Sequence, residues 1–161
     1  VLASSCNAFA YESEAELSVV IIGKLAKFIT WEDVQSDHFI ITILNNPFKD
    51  LVDKTYRGKQ VQTKDVEVKY INDIKDLGFT HILFVPEVPR EEMNNIKAKV
   101  RNKNILTVSD ARGFAEKGGI IQIYFAKQKT RLKINFDLSQ KEHLKISSSL
   151  LSISEIVGEG K

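Results

Sequence analysis

Ser109, Asp110 and His143 are the ingredients of a hydrolytic triad, so they are the first residues to weigh for chemistry. No G-x-S-x-G elbow surrounds Ser109, and a serine beside an aspartate does not give the order of nucleophile, base and orienter. His38, His81 and His143 lie far apart in the chain without a metal-ligand spacing such as H-E-x-x-H. His38 and His81 each open an apolar run, the place of a satisfied strand-end histidine. The glycines form neither a G-x-G-x-x-G nor a Walker pattern, so no dinucleotide or nucleoside triphosphate is expected. The sequence therefore predicts no catalytic residues, no metal and no cofactor. A binding role remains, and its focus is Leu106 to Gly119.

That stretch reads as a buried strand over Ile105 to Val108, a stop at Ser109 and Asp110, a short helix from Ala111 to Glu116, and an exit on Gly118 and Gly119. Ser109 or Asp110 would cap the helix, and the glycine pair would supply positive-φ positions. In an open α/β fold such a strand-to-helix loop lies where ligands bind. Ser109, Arg112 and the amides near Gly113 suit an anion or nucleotide-like compound. Asp110 opposes it with its own charge. Capping and turn geometry explain the same residues without a ligand.

The elements that position this loop alternate. Glu14 to Ile29 repeats Leu17, Val20, Ile21, Leu25 and Phe28 at three- and four-residue steps, an amphipathic helix that ends in Phe28-Ile-Thr-Trp31. Phe28 and Trp31 are core packing or a surface aromatic pair for a partner. His38 to Leu44 reads as a buried strand, and Asn46 with Pro47 as the start of a helix to Lys54. Val66 to Ile71 and His81 to Val85 read as strands, with a short helix over Asn72 to Leu77 between them. Pro89 opens a helix carrying Met93, Ile96 and Val100. Alternating helix and strand is the signature of a parallel sheet covered on both faces.

After the loop the pattern changes. Ile120 to Phe125 and Arg131 to Phe136, joined by a polar link, predict an antiparallel hairpin. Asn135 falls with Arg131 and Lys133 on the face that alternation marks as solvated. Ser147 to Ser149 would cap a C-terminal helix with Leu150, Leu151, Ile153, Ile156 and Val157, more apolar positions than one stripe needs. That surplus points to deep burial or a dimer contact. The fold class expected is a three-layer α/β/α domain, with a mixed, mostly parallel sheet of about six strands and a C-terminal antiparallel hairpin.

A net charge of +2 with dispersed lysines and arginines argues against nucleic acid as partner. No apolar run is long enough to span a bilayer, so direct membrane insertion is not expected. Residues 1–10, Val-Leu-Ala-Ser-Ser-Cys-Asn-Ala-Phe-Ala, have the small-x-small ending of a signal-peptidase site at Ala8-Phe9-Ala10. They are read as the tail of a signal peptide cleaved after Ala10, with residues 11–161 as a single exported domain. Cys6 is the only cysteine, so such a mature chain would have no disulfide.

Several motifs, taken together, resemble a known family. Lys24-Leu-Ala-Lys-Phe-Ile-Thr-Trp31 and Asn46-Pro-Phe48 match its helix end and its D/N-P-F turn. Leu106 to Asp110, Gly113-Phe114-Ala115, Gly118-Gly119, Ile134-Asn135, Leu144-Lys145-Ile146-Ser147-Ser148 and Leu150-Leu151 follow its remaining signature in order. The chain thus resembles the YfiR-like family of small periplasmic proteins. The resemblance implies a periplasmic regulator that represses an inner-membrane signalling protein, of diguanylate cyclase or sensor type, and so restrains cyclic-di-GMP signalling and biofilm formation. It implies a homodimer as well. Phe28, Trp31, Leu150 and Leu151 are then the partner-binding candidates, and Ser109, Asp110, Arg112 and Gly113 those for a small ligand. Glu32 stands where many relatives have proline.

Overall fold

The computed structural model describes residues 13–32 and 34–158; the export tail read in residues 1–10 lies outside them. Ser13 accepts from the Glu16 amide at 3.2 Å and starts α1, Glu14–Leu25. The amphipathic helix is shorter than expected, because a 3-10 turn over Ala26–Phe28 turns the chain into strand β1, Ile29–Trp31.

The next runs form β2 (His38–Leu44), α2 (Leu51–Tyr56), β3 (Gln60–Val61), β4 (Lys64–Ile71), β5 (Ile82–Phe84), α3 (Arg90–Val100) and β6 (Leu106–Ser109). Beyond the loop come β7 (Ile121–Ala126), β8 (Lys129–Asn135), α4 (Phe136–Lys141), β9 (Leu144–Ile146), α5 (Ser148–Ser152) and β10 (Glu155–Val157). The main sheet has eight strands in the order β10-β8-β7-β6-β5-β2-β4-β3. Strands β4, β2, β5, β6 and β7 run parallel, while β8 returns antiparallel from β7. The three-layer α/β/α architecture with a mixed, mostly parallel sheet and a hairpin is therefore the fold.

The count of strands differs from expectation for two reasons. Val61 and Lys64 close a small antiparallel hairpin through Gln62 and Thr63, both at positive φ. The C-terminal helix stops at Ser152, and Glu155–Val157 joins β8 in parallel as an edge strand. Ser154 Oγ donates to the Leu150 carbonyl at 2.7 Å, tying off that helix, and the β-branched Ile156 and Val157 suit the strand that follows. A separate two-stranded sheet pairs β1 with β9.

Three helices also begin or end elsewhere. Asn46 Oδ1 takes the Phe48 amide at 2.9 Å in a turn with Lys49 at positive φ, so α2 starts at Leu51 rather than at Pro47. Asn72 to Leu77 holds only a 3-10 turn, Ile74–Asp76. Phe136 begins α4 instead of ending the strand.

Two apolar layers sandwich the sheet. On one face Val19, Ile22 and Leu25 of α1 and Val52 of α2 meet Phe39, Ile41, Phe84 and Val108. On the other, Met93 and Ile96 of α3 meet Leu83, Val85, Ile105 and Phe114. His81 sits just before β5, buried, with Nδ1 accepting the Ile40 amide at 3.0 Å and its ring stacked on Phe39. Burial, then Lys64, pushes its pKa down to about 4, so the ring is neutral and keeps Nδ1 as an acceptor.

The α1–α2 contact depends on Gly23. The Tyr56 hydroxyl donates to the Val19 carbonyl and accepts the Gly23 amide at 2.7 Å, and burial pushes its pKa up to about 12. A Cβ on residue 23 would lie 2.5 Å from the Tyr56 ring. Gly23→Ala is expected to cost about 1–3 kcal/mol by overpacking, read as a lower urea midpoint. Gly78→Ala, with open space around it, is the control and should shift little.

Candidate functional site

Alternation along β6, β7 and β8 sends Leu106, Val108, Ile121, Ile123 and Ile134 into the α1 face of the core. The residues between them, Thr107, Ser109, Gln122, Lys133 and Asn135, therefore share the opposite face. The segment from Asp110 to Gly119 folds down over this polar row. Where it is buried, around Phe114, Ala115 and Gly119, its backbone groups need protein partners, which its own turns and the polar row supply.

Ser109 Oγ accepts the Ala111 amide at 2.9 Å, and Thr107 Oγ1 the Ile120 amide at 3.0 Å. Gln122 Oε1 accepts the Ala115 amide at 3.3 Å. Asn135 donates from Nδ2 to the Ala115 carbonyl at 3.2 Å and accepts the Leu138 amide on Oδ1 at 3.1 Å, capping α4. Lys133 Nζ meets Glu116 at 3.0 Å over the same segment. Asn135 is 3% exposed, so the solvated face expected for it is covered.

The segment is a chain of turns and not the helix expected over Ala111 to Glu116. Gly113 has φ 78° and Gly118 φ 109°, conformations that break a helix and that side chains other than glycine rarely adopt. Gly119 serves differently from expectation. Its φ is not positive, but a Cβ there would lie 1.9 Å from the Phe114 ring, so only glycine lets Phe114 fill its buried place.

The structure separates the ligand candidates. The Ser109 side chain is buried and engaged with Ala111, whereas Arg112 is exposed. Asp110 reaches the surface, yet crowding by protein, followed by repulsion from Glu14 and Glu87, holds its carboxyl above the usual carboxylate range. That field disfavours an anion at Asp110. Beside the segment, α3 and α4 complete a groove of 1270 Å³. Among the described residues no group of three or more His, Cys, Asp or Glu is placed to hold a metal.

A second assembly joins the chain's two ends. Ile29, Thr30 and Trp31 pair with Ile146, Lys145 and Leu144, and the Ser147 amide donates to the Phe28 carbonyl at 2.8 Å. Phe28 and Trp31 are half-buried; Trp31 packs edge-on against Phe39 and His81 and donates to the His81 carbonyl at 3.1 Å. Ser147 Oγ accepts the Leu150 amide at 3.3 Å and so caps α5, with Ser148 exposed as its first residue. Leu150 is 3% exposed and belongs to the core, while Leu151 remains partly exposed beside it. Lys24, Pro47 and Lys145 are exposed, and Phe48 is buried with its ring centre 4.9 Å from that of Phe84.

Thus most of the signature residues fall into two constructions, a clamped loop and a paired corner, with Asn46, Pro47 and Phe48 forming a separate turn against Phe84. A sequence model of one family, described as YfiR/HmsC-like, matches residues 15–155. The chain belongs to the YfiR/HmsC-like family. That family is one of periplasmic regulatory domains.

A search of curated proteins finds no significant match. Among solved structures, the domain is similar to an "ABC domain" from Streptococcus pneumonia in complex with L-Trp, with a TM-score of 0.57 and 12% identity. It is also similar to a conserved domain protein from Vibrio cholerae O1 biovar El Tor, with a TM-score of 0.61 and 10% identity. The alignments cover 89% and 91% of this YfiR/HmsC-like chain but 60% of each of those chains, and they speak to the fold alone.

Thr107 and Gln122 were not singled out by sequence reasoning, although their place between apolar neighbours on one strand face was visible. Asn135→Ala would leave the Leu138 amide and the Ala115 carbonyl unpaired. The expected loss is about 2–4 kcal/mol, from one cap and one buried hydrogen bond. Urea unfolding would measure it, and hydrogen exchange should accelerate first at Leu138 and within the 111–119 segment.

Proposed function

We propose that this domain regulates an inner-membrane signalling enzyme, of the diguanylate cyclase type, from the periplasmic side by protein–protein contact. Membership of the YfiR/HmsC-like family is the observation that carries the reading. The physical support is a surface built from the family's own motifs. The β1–β9 sheet sets Thr30 and Lys145, both exposed, in register, and the half-buried Phe28, Trp31 and Leu151 lie on or just beyond the paired segments. Half-buried aromatic and aliphatic side chains with a polar rim are what a regulatory interface uses.

We assign a homodimer contact to the other end of the chain. Strand β10 is a sheet edge; Ile156 within it is 48% exposed, and Ile153 just before it is 72% exposed. An open edge with apolar side chains is suited to pairing with a second copy.

Co-purification from solubilised membranes tests the first assignment. The full chain should recover a membrane-bound cyclase or sensor, and Lys145→Glu should reduce the recovery without changing thermal stability. Failure to recover any membrane signalling protein would refute the reading. Sedimentation of the purified chain tests the second: a dimer is expected, and Ile156→Asp should shift it to monomer.

A further inference from the structure

The groove between α3, the 111–118 turns and α4 carries an excess of positive charge that nothing in the regulatory reading uses. Arg90, Lys97, Arg101, Arg112 and Lys117 line it, with Lys141, which is engaged elsewhere, as a sixth cation. None of the first five forms an ion pair or a side-chain hydrogen bond among the described residues. Two of the three lining carboxylates are already engaged. Glu116 pairs with Lys133 at 3.0 Å, and the buried Glu142 accepts the Asn102 and Lys103 amides at 3.0 and 3.2 Å. Only Glu87 remains to offset five cations.

Two of these lysines are seated on the loop. A Cβ at residue 118 would lie 2.7 Å from Lys97 Cε, and one at residue 113 would lie 3.2 Å from Lys117 Cε. Both stems thus rest where the positive-φ glycines leave the backbone bare. The glycines make the turns and also make room for the ammonium groups. Beneath the charges, Met93, Ile105 and Phe114 provide an apolar floor, each 9% exposed or less.

We propose that this groove binds an organic anion of nucleoside-monophosphate size, with its charged group held by Lys97, Arg112 and Lys117 and its ring on the apolar floor. Cations collected in one concavity repel one another, and a multiply charged anion relieves that repulsion through charge-assisted hydrogen bonds. A volume of 1270 Å³ holds a ligand of that size with room to spare. Ser109 is not among the residues that line this groove, and its buried hydroxyl is taken up by the Ala111 amide at 2.9 Å.

Isothermal titration of the purified full chain with AMP, and with adenosine as the uncharged counterpart, tests the proposal without any membrane partner, so its failure is separate from failure of the regulatory reading. AMP should bind at least about tenfold more tightly than adenosine, and more weakly as salt rises. Lys97→Gln and Arg112→Gln should each remove most of that difference, while Lys54→Gln, outside the groove, should leave it. Absence of AMP binding in the millimolar range, equal binding of adenosine, or a preference unchanged by both groove variants would overturn the assignment. Thermal melts of the variants confirm that a lost signal is not lost folding.

Discussion

A stretch of backbone that enters the protein interior without helix or strand pairing has to find a partner for every amide and carbonyl. The 110–119 segment meets that requirement partly through its own turns and partly through one row of side chains on β6, β7 and β8. Thr107, Ser109, Gln122 and Asn135 between them accept the Ala111, Ala115 and Ile120 amides and the Leu138 amide in the first turn of α4, and Asn135 donates to the Ala115 carbonyl. Because leaving any one of these groups unpaired costs on the order of 1–3 kcal/mol, the row acts as a unit. It fixes the sheet, the loop and the start of α4 to one another.

The remainder of the domain follows from that clamp. With the loop held down, Phe114 reaches the α3 layer and completes the second apolar cluster. The turn at Asn135 sends α4 back across the sheet, which delivers β9 to β1 and places the C-terminal residues near the end of α1. Glu142 on this return path binds the amides after α3 and closes the floor of the groove. One buried polar row therefore underlies both exposed constructions, the paired corner and the cationic groove.

Much of the architecture was legible as pattern. Continuous apolar runs marked β2, β5 and β6, and Pro89 with its periodic followers marked α3, because burial on both faces and the fixed φ of proline leave direct traces. The C-terminal segment departs from the expected helix: Ile153, Ile156 and Val157 fit a helix stripe by spacing, but the free edge of β8 offers Glu155–Val157 a strand partner. The loop differs from the expected helix, although a short capped helix and a series of turns demand similar residues. Only the φ values at Gly113 and Gly118 tell them apart.

The sequence by itself determined which residues face which side of each strand, and it determined family membership, since both rest on order and spacing along one chain. It could place Asn135 with Lys133 on the polar face of β8, but not say what lies over that face. Tertiary structure decided that the loop covers it, turning an apparent solvated asparagine into a buried cap. It likewise decided that Trp31 meets Leu144 and that six cationic side chains share one groove. Alternation is a local property, whereas covering and charge convergence depend on contacts between segments far apart in the chain.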